Sequence, residues 1–239
     1  MDYQAIFKRY EIKYMLDLAQ KERLLEAMAP YMALDKYGRT TIRNVYYDTD
    51  NYRLIRRSIE KPVYKEKLRI RSYRQATPEA PVFVELKKKY KGVVYKRRIA
   101  LPEAAAVDWL QTGSCPEECQ IGREIDYFLQ YYGTLKPRVF LSYEREAYYC
   151  RAGEDFRITF DENILCRQSG LSLTEDAGGT PILEKGKVLM EVKTAGGIPL
   201  WLTQVLTRER IFKASFSKYA VAYQSMAFNG GYEYAGQDF

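Results

Sequence analysis

Charge and hydrocarbon alternate with a period of two residues along almost every strand-like segment of this chain. Lys67, Arg69 and Arg71 alternate with Leu68 and Ile70, and Phe83, Glu85 and Lys87 with Val82, Val84 and Leu86. Lys96 and Arg98 continue the pattern after a Lys91-Gly92 hairpin turn. Arg9, Glu11 and Lys13 oppose Tyr10, Ile12 and Tyr14; Arg157, Thr159 and Asp161 oppose Ile158 and Phe160; Leu189, Glu191 and Lys193 share a face, as do Tyr143 and Arg145. A period of two sends every second side chain to the same face of a strand. Like charges on neighbouring strands repel, so several such rows in one sheet call for an anion between them. An ordinary barrel fills its lumen with aliphatic side chains. The expected fold is therefore α+β: an eight-stranded antiparallel β-barrel tunnel with a polar, cationic lumen and helices packed outside.

The positive charge is local. Residues 65–98 hold twelve Lys and Arg against three Glu, a net +9 in a chain whose total is +7. Low-specificity nucleic-acid binding more often spreads charge over a face or tail, so no nucleic-acid partner is expected. The N-terminus lacks an apolar run behind a basic segment, and no stretch approaches the roughly 20 apolar residues of a membrane span. A cytoplasmic protein is expected. The chain has no histidine, which removes Ser-His and Cys-His nucleophilic pairs. Its four cysteines match no zinc spacing and read as reduced structural thiols.

In order, the pattern predicts a strand at 6–14 and a helix from an Asp17 cap to about Ala29, ended by Pro30. A strand follows over Thr40–Tyr47, then a turn at 48–51 and a connector to 59. After the three basic strands come helices at 103–111, with Pro102 at its first position, and at 117–132. Strands follow at 138–149 and 156–164, a loop or irregular hairpin at 165–186, a strand at 187–194, and helices at 198–208 and 215–228. Residues 1–228 are expected to form one domain and 229–239 a flexible tail.

One face of each strand collects Lys13, Lys67, Arg69, Arg71, Lys87, Lys96, Arg98, Arg145 and Arg157, with Glu11, Glu85 and Glu191 among them. So many cations in one lumen are costly unless neutralised, and a polyanion with closely spaced charges is the natural ligand. Arg suits bidentate phosphate recognition and Lys supplies point charges. A few carboxylates amid such cations fit a divalent metal engaged in phosphoryl transfer. Lys88, Lys89 and Lys91 read as outward-facing or in the turn.

The segments RYEIKYML, VYYDTDNY, KLRIRSY, VFVELKKK, GVVYKRR, LSYEREAY, RITFDENI, LMEVKT and SFSKY stand in one order across residues 9–219. In that order the chain resembles the triphosphate tunnel metalloenzymes, and within them the polyphosphate polymerase (VTC) domain. The resemblance implies ATP and a phosphate or polyphosphate chain as partners, and Mn²⁺ or Mg²⁺ as cofactor. It implies a catalytic set of Lys13, Arg69, Arg71, Lys87, Lys96, Arg145, Arg157 and Lys218, with Glu191 as the metal ligand. Glu11, Lys67, Arg98, Tyr143, Lys193 and Ser217 would contact substrate. Fungal VTC relatives also carry an SPX domain and membrane helices, which this sequence does not contain; a free-standing catalytic domain is expected.

Two departures bear on the reaction. CYTH-type triphosphatases of the superfamily begin with Glu-x-Glu-x-Lys on their first strand, whereas Arg9, Glu11 and Lys13 occupy those positions here. Lys193 stands two residues after Glu191, where a second carboxylate would help to bind metal or orient water. A polymerase uses a nucleophile that is already anionic, and cations bring its two polyanions together. Open beside it are a triphosphatase on the same scaffold, a non-catalytic phosphate-chain or nucleotide-binding module, and RNA binding along the basic strands. Glu191 could serve as an ion-pair partner without metal, and Asp161 as a partner of Arg157.

Overall fold

The computed structural model describes residues 10–91 and 93–227. Ten strands form one antiparallel sheet, with six helices among the described residues. β1 (Tyr10–Asp17) leads directly into α1 (Leu18–Met28), because Asp17 ends the strand and caps the helix: its carboxylate accepts from Gln20 N at 2.7 Å. β2 (Met32–Leu34) and β3 (Thr40–Asp48) follow, then α2 (Arg53–Ile59). The basic segment folds as β4 (Tyr64–Ser72), β5 (Pro81–Tyr90) and β6 (Val93–Pro102), a meander with unbroken pairing. α3 (Glu103–Thr112) and α4 (Gln120–Tyr132) precede β7 (Lys136–Cys150) and β8 (Phe156–Arg167). β9 (Thr180–Pro181), β10 (Lys187–Thr194), α5 (Leu200–Arg208) and α6 (Lys218–Ala227) complete the chain.

The main path of the sheet runs β1-β10-β8-β7-β3-β4-β5-β6, so its eight long strands appear in the expected number. No ladder joins β6 to β1 among the described residues. The sheet is instead a curved wall whose two sides meet through side chains: Lys87 Nζ on β5 lies 3.2 Å from Glu11 on β1. The barrel expectation is corrected in that respect.

Outward-facing hydrocarbon accounts for the helices. Leu68, Ile70, Val84, Leu86 and Ile99 bury against Trp109, Ile125 and Phe128 of α3 and α4. Tyr14, Leu16, Ile158, Phe160 and Val192 bury against Leu24 and Met28 of α1 and Leu202, Val205 and Leu206 of α5. α6 departs from the expected outer layer. Its Tyr219 stacks on Tyr46 with ring centroids 4.5 Å apart, and Tyr46 is paired in register with Arg69 on the inner face. Tyr219 is fixed further by its hydroxyl, which donates to Asp48 at 2.9 Å, while the same buried carboxylate accepts from Leu54 N and Ile55 N of α2.

Smaller departures have local causes. Pro102 is the N-cap of α3 rather than its first residue. α4 starts at Gln120 because Cys119 takes the cap, its Sγ accepting from Gly122 N at 3.3 Å. β8 runs on to Arg167, into the expected loop, and pairs with β9. α6 begins at Lys218 rather than 215. The tail expected at 229–239, Arg9 and Gly92 lie outside the described residues.

Candidate functional site

The inner face gathers its charges around three carboxylate nodes. The deepest joins β7, β8, β10 and α6. Arg145 donates through Nε and Nη2 to the two oxygens of Asp161, at 2.5 and 2.6 Å. Lys218 reaches in from the first turn of α6 and bridges Asp161 at 2.5 Å and Glu191 at 3.1 Å. Glu191 is also 3.5 Å from Arg145, 3.6 Å from Lys13 and 3.8 Å from Lys193. Burial alone would push the Glu191 carboxyl up, but Lys218, Lys13, Lys193 and Arg145 outweigh it and hold it well below the usual carboxylate range. Lys13 donates in addition to the Phe216 carbonyl at 2.7 Å, which ties β1 to the approach to α6.

Tyr143 forms one side of this node. Its ring lies 4.7 Å from Lys218 Nζ and 5.1 Å from the Arg145 guanidinium carbon. Its hydroxyl accepts from Arg71 Nη2 at 3.0 Å, while Arg71 Nε donates to the Asn44 side chain at 2.9 Å. Burial opposes the phenolate, yet Arg71, Arg145 and Lys218 together bring the phenol below its ordinary value.

The second node is Glu85, 1% exposed. Arg69 donates to it through Nε and Nη2 at 2.9 and 2.7 Å, and Lys96 stands 2.6 Å away. Arg98 binds the same carboxylate through both Nε and Nη2. Arg69 Nη1 donates to the Tyr46 hydroxyl at 2.7 Å.

The third node is Glu11, which lies 3.2 Å from Lys87 and 3.6 Å from Lys13. Burial raises its carboxyl, but Lys87, Lys193 and Lys13 together outweigh it, and the group sits at about 2. Lys67 stands beside it without a carboxylate, its ammonium donating to Ser217 Oγ at 2.9 Å. Burial, then Lys87, Lys13, Lys65 and Arg69, push that ammonium down to about 7.

The structure thus brings Lys13, Lys67, Arg69, Arg71, Lys87, Lys96, Arg98, Arg145, Lys193 and Lys218 into one inner face with Glu11, Tyr143, Glu191 and Ser217. Arg157 shares that face by register with Lys193. It stands at the start of β8, however, exposed and paired with Asp35 at 3.0 Å. Lys88 faces outward, 3.9 Å from Glu66. Lys89 does not: it opposes Lys65 on the same face as Lys87. Asp161 partners Arg145 and Lys218 rather than Arg157. Asn44, Tyr46 and Asp48 join the site unexpectedly, holding Arg71, Arg69 and Tyr219 respectively. The Asn44/Tyr46 alternation on β3 was their available signal.

For a divalent ion the donor set is sparse. No group of three Asp, Glu, His or Cys side chains converges as a metal site among the described residues. Asp161 has both oxygens hydrogen-bonded by Arg145, whereas Glu191 accepts one hydrogen bond, from Lys218 at Oε1, and its Oε2 has only the looser contacts of Arg145 at 3.5 Å and Lys193 at 3.8 Å. That set fits Mg²⁺ or Mn²⁺ arriving with phosphate ligands, since such ions are commonly held by one or two carboxylates plus substrate phosphates.

Comparison with known proteins agrees with this geometry. A candidate adenylate cyclase of Bacillus halodurans superposes with a TM-score of 0.54 at 16% identity, over 88% of this chain and 95% of that one. The candidate adenylyl cyclase HpAC1 of Hippeastrum, described as having a dominant triphosphatase activity, superposes with a TM-score of 0.54 at 19% identity, over 91% and 96%. Both show the tunnel fold. No curated protein matches in sequence. The family model for the VTC domain matches residues 8–227, and the chain belongs to the VTC domain family.

Proposed function

We propose that this protein is a polyphosphate polymerase, transferring the γ-phosphoryl group of ATP to a phosphate or polyphosphate chain and releasing ADP. The observation that carries the reading is the allocation of charge around Glu191, where four cations, Lys218, Arg145, Lys13 and Lys193, stand within 4 Å. Lys193 occupies the place where a carboxylate could position water. Hydrolysis needs a group that orients and deprotonates water. Chain synthesis needs two polyanions held together, and a phosphate-oxygen nucleophile brings its own negative charge.

In this reading Lys13, Arg71, Arg145 and Lys218 hold the transferred phosphoryl group and its neighbours, with Arg157 at the rim. Arg69, Lys87, Lys96 and Arg98 hold the rest of the chain, and Lys67, Ser217 and Tyr143 set its path. Glu11 keeps Lys13 and Lys87 oriented. Glu191 is the residue that would hold Mn²⁺ or Mg²⁺, whose chemistry there is to offset charge on the phosphate oxygens. Phosphoryl transfer asks a protein chiefly for alignment and electrostatic stabilisation, and this wall supplies both. No helix among the described residues is long and apolar enough to cross a membrane; the cytoplasm is the proposed location.

A triphosphatase is the second reading, favoured by the activity described for the Hippeastrum neighbour. Incubation of the purified protein with ATP and Mn²⁺ separates the two. Acid-stable polymer with matching ADP supports synthesis, whereas stoichiometric orthophosphate without polymer sinks it.

A further inference from the structure

β4 and β5 carry a block of cations beyond the Glu191 node. Lys65 opposes Lys89 and Lys67 opposes Lys87 in the ladder, so all four share the inner face. Opposed side chains in such a ladder stand about 5 Å apart at Cβ, and successive rungs are spaced about 7 Å along the strand. Glu11 reaches Lys87 at 3.2 Å; no other inner-face carboxylate pairs with the block among the described residues. Lys67 is held by Ser217 Oγ, and Lys65 donates to the Ser58 carbonyl at 3.3 Å. Exposure rises along the row, from part-buried Lys67 and Lys65 to exposed Lys89. The direction of that rise is away from Arg69 and Arg71. Opposed like charges destabilise a ladder, and burial followed by Lys89, Lys13 and Lys87 lowers the Lys65 ammonium.

We infer that Lys65 and Lys89 extend the Lys67–Lys87 rung into a subsite that holds the part of a linear condensed phosphate chain extending out of the tunnel beyond the Glu191 node. This rests on the reading that the lumen binds phosphate chains. Every phosphate of such a chain carries charge, so one ligand can neutralise successive rungs. Single-stranded nucleic acid would instead want aromatic platforms for its bases. The aromatic residues of these rungs, Tyr64 and Tyr90, oppose one another on the other face. The subsite gives a growing chain purchase outside the reacting phosphates, favouring retention of long chains over short ones.

Equilibrium binding of long-chain linear polyphosphate and of tripolyphosphate, without nucleotide, tests this. The Lys65→Ala/Lys89→Ala variant should lose at least about tenfold in affinity for the long chain, about 1.4 kcal/mol. Its affinity for tripolyphosphate should change less than about threefold, and Lys65→Arg/Lys89→Arg should keep the long-chain affinity. Lys89→Ala alone, at an exposed position, should weaken long-chain binding in the same direction even if the double variant fails to fold. Equal losses for both ligands, no loss for either, or RNA binding that depends on these lysines and survives excess tripolyphosphate would overturn the subsite. No turnover enters the measurement, so a protein that hydrolyses ATP would sink the polymerase reading and leave this one standing.

Discussion

Replacing Glu191 by Gln removes one negative charge from beneath Lys218, Lys13, Arg145 and Lys193 while leaving the shape of the side chain almost unchanged. Those four cations lie 3.1 to 3.8 Å from its oxygens. At an effective dielectric of about 20, each such pair is worth roughly 4–5 kcal/mol before desolvation is subtracted. The net cost of removing one partner from a buried ion pair is about 3–5 kcal/mol, far below the four pairs taken together. Asp161 remains to hold Arg145 and Lys218, so the lower end of that range is expected. Urea unfolding of Glu191→Gln should therefore show a loss of about 3 kcal/mol. Tripolyphosphate should restore more stability to the variant than to the parent, because the ligand returns the missing negative charge. At a concentration of 100 times Kd it stabilises any binder by about 2.7 kcal/mol, and the excess over that is the quantity of interest. ATP turnover with Mn²⁺ should fall by orders of magnitude while phosphate-chain binding persists. Turnover near the parental rate would refute the assignment of metal binding to Glu191, leaving it a charge-neutralising partner only. A stability loss below about 1 kcal/mol would refute the four-cation node itself.

Glu85→Gln should cost about 3–5 kcal/mol in chemical denaturation, since Arg69, Arg98 and Lys96 converge on this carboxylate; unchanged stability would show that these ion pairs do not form. Lys67, with its ammonium at about 7 in the free protein, is mostly neutral at pH 8. A bound polyanion favours the charged form, so tripolyphosphate binding at pH 8 should take up protons. Calorimetry in buffers of different ionisation enthalpy should show this uptake fading below about pH 6, where Lys67 is charged in the free and the bound protein alike, and largely vanishing in Lys67→Met. Acid should destabilise the fold through Glu11, Glu85, Asp161 and Glu191, all depressed in the folded state. The folded protein binds fewer protons than the unfolded chain, whose carboxyls titrate near 3.9–4.3. Thermal melting should therefore report stability held above about pH 4.5 and lost progressively towards pH 2.

The strands and most of the inner face were legible because parity is local: two residues on, the side chain faces the same way. Lys13, Arg69, Arg71, Lys87, Lys96, Arg98 and Arg145 follow from that rule. Lys89 obeys it too, but the run Lys87-Lys88-Lys89 offers no apolar residue to mark the alternation. Arg157 has the right parity, yet its place at the strand end gives it to Asp35. Parity fixes a face and not a depth. The position of Lys218 could not be read locally, because it depends on α6 turning back onto β7, β8 and β10. The devices that fix it are Tyr219 against Tyr46 and Asp48, far away in sequence. The missing ladder between β6 and β1 is likewise a property of the whole sheet's curvature, which no single strand encodes.

The arginines of this wall are more constrained than their charge suggests. Arg145 turns its Nε–Nη2 edge to Asp161, Arg69 and Arg98 turn theirs to Glu85, and Arg71 spends the same edge on Asn44 and Tyr143. Each therefore keeps its remaining Nη hydrogens, aimed by the acceptor behind it, for the phosphate ligand proposed above. A lysine cannot anchor itself and reach a ligand in that way, because its ammonium is a single point. Arg145→Lys keeps the charge opposite Asp161 and should leave the protein folded, with phosphate-chain affinity changed by only a few fold. ATP turnover should nevertheless drop by at least about tenfold, about 1.4 kcal/mol of transition-state stabilisation, because alignment is lost. A variant with parental turnover would mean that Arg145 contributes charge alone, and the fork that Asp161 holds in place would have no part in the chemistry.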